Sequence, residues 1–286
     1  MKHTKIKIIE TPRDGLQGLS QFIPTDRKVD YINQLLQCGF DTVEIGSFVS
    51  PKAIPQWVDT AAVIKGLNFD QTDSKIAVLV ANLRGALQAV QFEEVDQLFY
   101  PFSISPTFLK LNLHSTLAKA EHLTDQLIDL CQQHNKELVV FLSLAFGNPY
   151  GDAWQVEMVH QWVERLAGKG IKRIPLADTI GDISPDLIFK VFSHLVDDFR
   201  QVELGLHTHA YPGIGKLKVD AAFRAGVRRF DTVLGGLGGC PMTGKAMVGN
   251  LALSELLDYC DEHKIETSVN KSCIKKAENF PLLSHF

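Results

Sequence analysis

Two histidines separated by one residue, His207-Thr208-His209, close a run of apolar and β-branched residues. Side chains two apart on a strand point to the same face, so both imidazoles can aim at one spot. Asp14, directly after Arg13 and shortly after another apolar run, adds a hard carboxylate. Two nitrogens and a carboxylate form a mixed ligand set that suits Mg²⁺ or Mn²⁺, and less specifically Zn²⁺. Taken singly, Asp14 before Gly15 reads as a turn residue and either histidine as a loop cap; the spacing and the strand-end positions favour the metal reading. Glu44 lies inside the apolar run Thr42-Val43-Glu44-Ile45. A carboxylate there needs a partner, and Arg13 at the end of a neighbouring strand is the natural one. The segment Gly235–Pro241 holds four glycines and Cys240. It is too glycine-rich for an element interior and reads as a mobile loop, whose thiol is placed to exchange a proton with a bound substrate. No Walker pattern accompanies these glycines, so a phosphate turn is the weaker reading. The other eight histidines have no spaced partner and read as surface or core residues.

The elements that must position these groups follow one period. Strand-like runs occur at Ile6–Glu10, Thr42–Ile45, Lys75–Val80, Gln97–Tyr100, Glu137–Leu144, Arg173–Leu176, Val202–His207 and Arg229–Leu234, with amphipathic helical spacing between them. Helix starts are marked at Pro24-Thr25-Asp26, Ser115-Thr116 and Ser184-Pro185-Asp186, and stops at Gly39, Gly170 and Gly226. Eight such units predict a (β/α)8 TIM barrel of the α/β class, a fold of roughly 250 residues. An open doubly wound sheet needs fewer strands and usually a glycine-rich turn after the first, where this chain has Arg13-Asp14. The expectation is a single barrel domain over residues 1–286, with Ser268–Asn279 as an extra C-terminal helix. In a barrel, the C-terminal strand ends and the loops after them carry the chemistry. That face would gather Arg13, Asp14, Gln17, Glu44, Ser47, Asp178, Thr179, His207, His209, Cys240 and Asn250.

Composition narrows the function classes. The 286 residues are 45% hydrophobic and 22% charged, with a formal charge of −4. Such a chain has no basic field to hold nucleic acid, and no apolar run approaches a membrane span. The five cysteines are odd in number and lack paired CxxC spacing. They read as packing residues in a reducing compartment, Cys240 excepted, without a disulfide framework or a zinc cluster. Strand-like sequence from Lys5 onward leaves little room for a targeting peptide, so a soluble cytoplasmic protein is expected.

Four segments together carry a resemblance: Ile9-Glu10-Thr11-Pro12-Arg13-Asp14-Gly15-Leu16-Gln17, Val43-Glu44-Ile45-Gly46-Ser47-Phe48-Val49-Ser50-Pro51-Lys52, Leu176-Ala177-Asp178-Thr179-Ile180-Gly181 and Gly235–Pro241. In order and content, from about Lys5 to Glu278, the chain resembles the 3-hydroxy-3-methylglutaryl-CoA lyases, metal-dependent barrel enzymes. The resemblance implies a divalent cation held by Asp14, His207, His209 and Asn250. It implies that Arg13 polarises the carbonyl that becomes the enolate, that Glu44 orients Arg13, that Asp178 and His207 move the proton of the tertiary alcohol, and that Cys240 is the general acid. Arg13, Gln17 and Ser47 would meet an acyl-CoA substrate. The implied reaction is retro-Claisen cleavage to acetyl-CoA and acetoacetate, in leucine degradation and ketone-body formation, and a homodimer is compatible with it. The chain departs from the family at Gly18-Leu19, Pro106, Asn148, Ala210 and Ser254, with Glu255 one position along and expected to turn away. These departures keep the exact acyl group open. Two alternatives stand beside the lyase: an aldolase or synthase of the same superfamily acting on a 2-oxo or hydroxy acid, and a catalytically retired metal-binding homologue.

Overall fold

The structure, a computed structural model, describes residues 5–70, 72–239 and 248–280. Its strands are β1 (Lys7–Glu10), β2 (Thr42–Ser47), β3 (Lys75–Leu79), β4 (Gln97–Ser103), β5 (Glu137–Ser143), β6 (Arg173–Asp178), β7 (Glu203–Thr208) and β8 (Arg229–Thr232). Neighbours pair in parallel and in sequence order, and β8 pairs back onto β1, closing the barrel. The helices between strands are α1 (Pro12–Gln17), α2 (Thr25–Leu36), α3 (Thr60–Gly66), α4 (Leu83–Ala89), α5 (Pro106–Asn112), α6 (Leu117–Gln133), α7 (Val156–Gly168), α8 (Pro185–Ser193) and α9 (Gly215–Arg224). After β8 come α10 (Leu253–His263) and α11 (Lys271–Glu278), the latter inside the span expected for a C-terminal helix.

The strands are apolar on both faces because both are covered. Outward residues such as Ile8, Val43 and Leu98 join the core beneath the helices, where α7 contributes Val156, Val159, Val163 and Leu166 at helical spacing. Thr116 and Ser184 cap α6 and α8 by accepting from the amides of Lys119 and Leu187, as their positions in the sequence predict. Inward residues Ile9, Ala77, Phe99, Val139 and Phe141 form a separate small cluster that plugs the barrel axis. Beside that plug runs Arg229, 1% exposed. Its side chain crosses β7 at Gly205, where an added Cβ would lie 2.8 Å from Arg229 Cδ, so only glycine leaves room for it.

Two local expectations are corrected. The fourth strand was expected to stop at Tyr100 before Pro101, but β4 runs to Ser103. β3 ends opposite Phe99, so Pro101, without an N–H, is paired on the β5 side alone, where it faces Phe141. Cys38 and Cys273 are not separate packing thiols; they form a disulfide with Cα atoms 5.1 Å apart. The pairing comes from α11 lying against α2, across 235 residues of sequence that no spacing rule connects. Cys131 and Cys260 are buried free thiols, as expected of packing residues.

Candidate active site

The mouth of the barrel is built from residues at the ends of β1, β2 and β7. β1 leads into α1 through Thr11-Pro12, and the proline at the first helical turn fixes the start of a helix that carries Arg13 and Asp14 in its first turn and Gln17 one turn on. Asp14, His207 and His209 offer ligand atoms that all lie within 4.8 Å of one another. His207 Nε2 is 3.7 Å from Asp14 Oδ2, and its Nδ1 faces Asp231 Oδ2 at 3.3 Å. His209 turns Nδ1 to the backbone carbonyls of Asp178 (3.1 Å) and Thr179 (3.3 Å). Those acceptors fix the proton on Nδ1, and Nε2 is left buried with no hydrogen-bond partner among the described residues. A lone pair aimed inward from a buried ring, beside a carboxylate and a second imidazole, fits a divalent cation. Asn250 completes the group: it forms a bridge with His209, donates to the Leu237 carbonyl at 2.9 Å and hydrogen-bonds Asp14.

The neighbouring charges are arranged around Arg13. Its guanidinium meets Glu44 Oε1 at 2.8 Å, Gln17 Oε1 at 2.8 Å and Asp14 Oδ1 at 3.2 Å, so the expected Arg13–Glu44 pair is present. Gln17 also donates to Asp14. Burial raises the Glu44 carboxyl to about 7, against the opposing pull of Arg13. Burial also acts to raise Asp14, but Arg13, His207 and His209 outweigh it and hold this carboxyl below its ordinary range. For His207, burial works against the imidazolium, yet Asp231 and Asp14 prevail and the pKa rises. His209 goes the other way, lowered by burial and by His207. The environment thus favours the ionised form of Asp14 and shifts the two imidazoles in opposite directions, an arrangement suited to gripping a cation beside a proton-moving group.

These groups line a cavity of about 140 Å³ with Thr11, Ser143 and Thr179 on its polar side and Leu79, Pro101, Phe108 and Phe141 on its apolar side. The edge of the His207 ring meets the Phe141 ring with centroids 5.6 Å apart.

Comparison with known proteins gives this geometry a family. The HMGL-like family matches residues 5–280. The chain belongs to the HMGL-like family. A hydroxymethylglutaryl-CoA lyase of Bacillus subtilis is 33% identical over 266 residues, 93% of this chain and 88% of the relative. The mitochondrial hydroxymethylglutaryl-CoA lyase of Homo sapiens is 30% identical over 277 residues, covering 96% and 84%. Among solved structures, an HMG-CoA lyase from Acinetobacter baumannii in complex with coenzyme A and 3-methylmalate superposes with a TM-score of 0.89 at 35% identity, covering 98% of this chain and 91% of that one.

Not every residue expected at this HMGL-like site arrives there. Ser47 lines a different cavity of about 590 Å³ with Trp57, Asn82 and Arg84, and its hydroxyl accepts from the Val49 amide. Asp178 follows Ala177, which faces the cavity; with a period of two, its own side chain points away, toward α9. There it accepts from Thr208 Oγ1, the Gly181 amide and Lys218 Nζ, outside the lining of the cavity. Cys240 lies outside the described residues. Of the loop that carries it, Leu234–Gly236 form a 3₁₀ turn, and Leu237 is tied to Asn250. Glu255 does turn away, accepting from the amides of Gly213 and Lys216 ahead of and within α9.

Sequence reasoning missed Asp231 and Lys218. The signal for Asp231 was available: like Glu44, it is an acid within an apolar strand, 2% exposed. Lys218 sits in an amphipathic helix, and nothing in its spacing distinguishes it from a solvent-facing lysine.

Proposed function

We propose that this chain is a divalent-cation-dependent carbon–carbon lyase that cleaves 3-hydroxy-3-methylglutaryl-CoA, or a close 3-hydroxyacyl-CoA, to acetyl-CoA and a keto product, acetoacetate for the first substrate. The observation that carries the reading is the convergence of Asp14, His207 and His209 beside the Arg13–Glu44 pair in one cavity. Family membership and lyase relatives at 30–33% identity support it.

Breaking the bond between C2 and C3 of such a thioester sends its electron pair toward the thioester carbonyl, while the C3 hydroxyl loses its proton and becomes a ketone. A divalent cation held by Asp14, His207, His209 and Asn250 would act as a Lewis acid toward the hydroxyl and carboxylate oxygens of the substrate. Arg13 supplies positive charge for the developing enolate oxygen, and Glu44 and Gln17 keep its guanidinium in place without reorganisation during the reaction. We assign the hydroxyl proton to His207, oriented by Asp231 at Nδ1, with its cavity-facing Nε2 serving either the cation or the proton and not both at once. Asp178, committed to Lys218, acts on the site through its backbone carbonyl rather than its carboxylate. Cys240 remains the proposed donor of the proton that C2 receives. Leu79, Pro101, Phe108 and Phe141 offer a dry wall for the C3 methyl group and exclude water from the enolate.

The cytoplasm, with a role in leucine degradation and ketone-body formation, is the setting we propose; among the described residues no helix is long and apolar enough to cross a membrane. Incubation of the purified protein with 3-hydroxy-3-methylglutaryl-CoA and Mg²⁺ or Mn²⁺ should release acetoacetate, and EDTA should stop it. A protein that binds the cation yet leaves this ester and the CoA ester of 3-methylmalate intact would sink the substrate assignment.

A further inference from the structure

Lys218, on α9, is 0% exposed although it carries a charge. A buried ammonium is tolerated only when its three hydrogens find acceptors. Here all three do: Asp178 Oδ2 at 2.6 Å, the His209 carbonyl at 2.8 Å and the Gly181 carbonyl at 3.0 Å. The three acceptors belong to the ends of β6 and β7 and to the turn after β6, the backbone on which His209 is mounted. The same corner provides the carbonyls of Asp178 and Thr179 that hold His209 Nδ1. Thr208 and the Gly181 amide bind the Asp178 carboxylate from other sides, so the corner is tied at every polar atom of that side chain. His209 also rests directly on Gly181: at φ +79°, an added Cβ there would come within 3.0 Å of His209 Cβ.

We propose that Lys218 is a positioning residue of the cation centre. By holding the His209 carbonyl and the Asp178 carboxylate together, its ammonium sets the direction in which His209 Nε2 points. Lys218 does not line the cavity and touches neither substrate nor cation; it acts through His209. Ordinary packing would be served by an aliphatic side chain at this place in α9. A cation whose every donor goes to the ligand-bearing corner does more than fill space.

This inference rests on the cation-centre reading, and the test separates the two. In the full chain, Lys218→Met is compared with wild type and with Lys28→Met. Lys28 is a second lysine buried to 0%, on α2 after β1, paired with Asp59 and bound to no ligand of the centre. Mn²⁺ affinity is read by the paramagnetic resonance signal of the free ion, and thermal unfolding is followed in EDTA. Lys218→Met should weaken Mn²⁺ binding about 10–100-fold, the usual effect of losing a partner behind a ligand. Lys28→Met should lower the unfolding temperature and leave Mn²⁺ affinity unchanged. Because Lys218→Met leaves a buried carboxylate unpaired, the double variant Lys218→Met/Asp178→Asn is measured alongside it. That variant removes both charges and should recover stability while Mn²⁺ binding stays weak, since the His209 carbonyl is still unheld. Recovery of wild-type Mn²⁺ affinity in the double variant would overturn the proposal, leaving Lys218 as a mere counter-ion. Equal weakening by Lys28→Met would overturn it too. Wild-type protein that binds no Mn²⁺ would remove the cation centre itself and the proposal with it.

Discussion

The two ends of the barrel carry similar residue types and use them differently. At the N-terminal rim, Glu137 receives Lys75, Arg173 and Gln97, while Glu203 receives Lys7, Arg173 and Arg229, so acids and bases alternate around the ring. Most of these side chains are partly open to water, and each acid sits among cations. At the C-terminal mouth, Asp14, Glu44 and His209 are buried, and His209 Nε2 and Glu44 Oε2 have no hydrogen-bond partner among the described residues. The lower ring pairs its exposed charges with one another, although Arg229 Nε and Nη2 at its buried inner edge have no hydrogen-bond partner among the described residues. The upper cluster is left with directed, unsatisfied groups in a low-dielectric cavity, where an added charge interacts strongly. Unfulfilled polarity that faces a cavity, rather than charge as such, separates a site from scaffolding.

The largest effect tests the upper end. Asp14→Ala removes the one carboxylate among the three converging ligand atoms and should abolish Mn²⁺ binding and reduce turnover by about 10³-fold or more. Calorimetry against Mn²⁺ checks the first part; near-wild-type affinity would erase the contrast between the two ends. Glu44→Gln comes next. It leaves a neutral partner beside Arg13, so turnover should fall by about 10–100-fold while Mn²⁺ affinity changes little, because Glu44 is not among the converging ligands. Loss of Mn²⁺ binding in that variant would move Glu44 from holding Arg13 to holding the cation.

What the sequence made legible follows from the range of each interaction. Barrel order, His207 with His209 on one face, and Arg13 beside Glu44 are consequences of period-two alternation and of adjacent strands, so they can be read along the chain. Asp178 obeys the same alternation: Ala177 faces the cavity, so its neighbour faces the helices. The family pattern draws it into the proton path, while its lysine partner holds the carboxylate on the helix side. Lys218 and the Cys38–Cys273 bond depend on which helix lies against which, information that enters only with tertiary packing. Ser47 ends in another cavity for a local reason, since its hydroxyl closes a turn onto the Val49 amide.

A third experiment uses a buried acid at the C-terminal end of β1 that does not line the cavity. Glu10 accepts from the Leu234 amide at 2.6 Å and from Thr232 Oγ1 at 3.0 Å, yet burial still raises its carboxyl to about 8. The folded protein therefore keeps a proton that the unfolded chain releases near pH 4.5. Between those values the native state binds more protons, so stability falls as pH rises from about 5 to 8, by up to about 1.4 kcal/mol per pH unit from this group. Glu10→Gln should flatten that slope, equalling wild type near pH 5 and exceeding it near pH 8 in denaturant titrations. An unchanged slope would show that Glu10 is ionised in the fold.

The smallest effect belongs to the lower ring, and its smallness is the point. Glu137→Gln deletes a charge that two cations and an amide surround only partly, with water close by and its side chain 27% exposed. Screened pairs of this kind contribute about 1 kcal/mol or less, and salt weakens them further. Unfolding in urea at low and high ionic strength should show a loss of about 1 kcal/mol that shrinks as salt is added, with Mn²⁺ affinity and turnover as in wild type. The ring is separated from the mouth by the plug of Phe99, Val139 and Phe141, which transmits packing but not charge. If Glu137→Gln altered Mn²⁺ binding, the route would have to run through Glu203, Arg229 and Asp231 to His207, the only line of charged contacts joining the two ends among the described residues. The ends would then be one electrostatic unit, and Arg229→Met would reproduce the change.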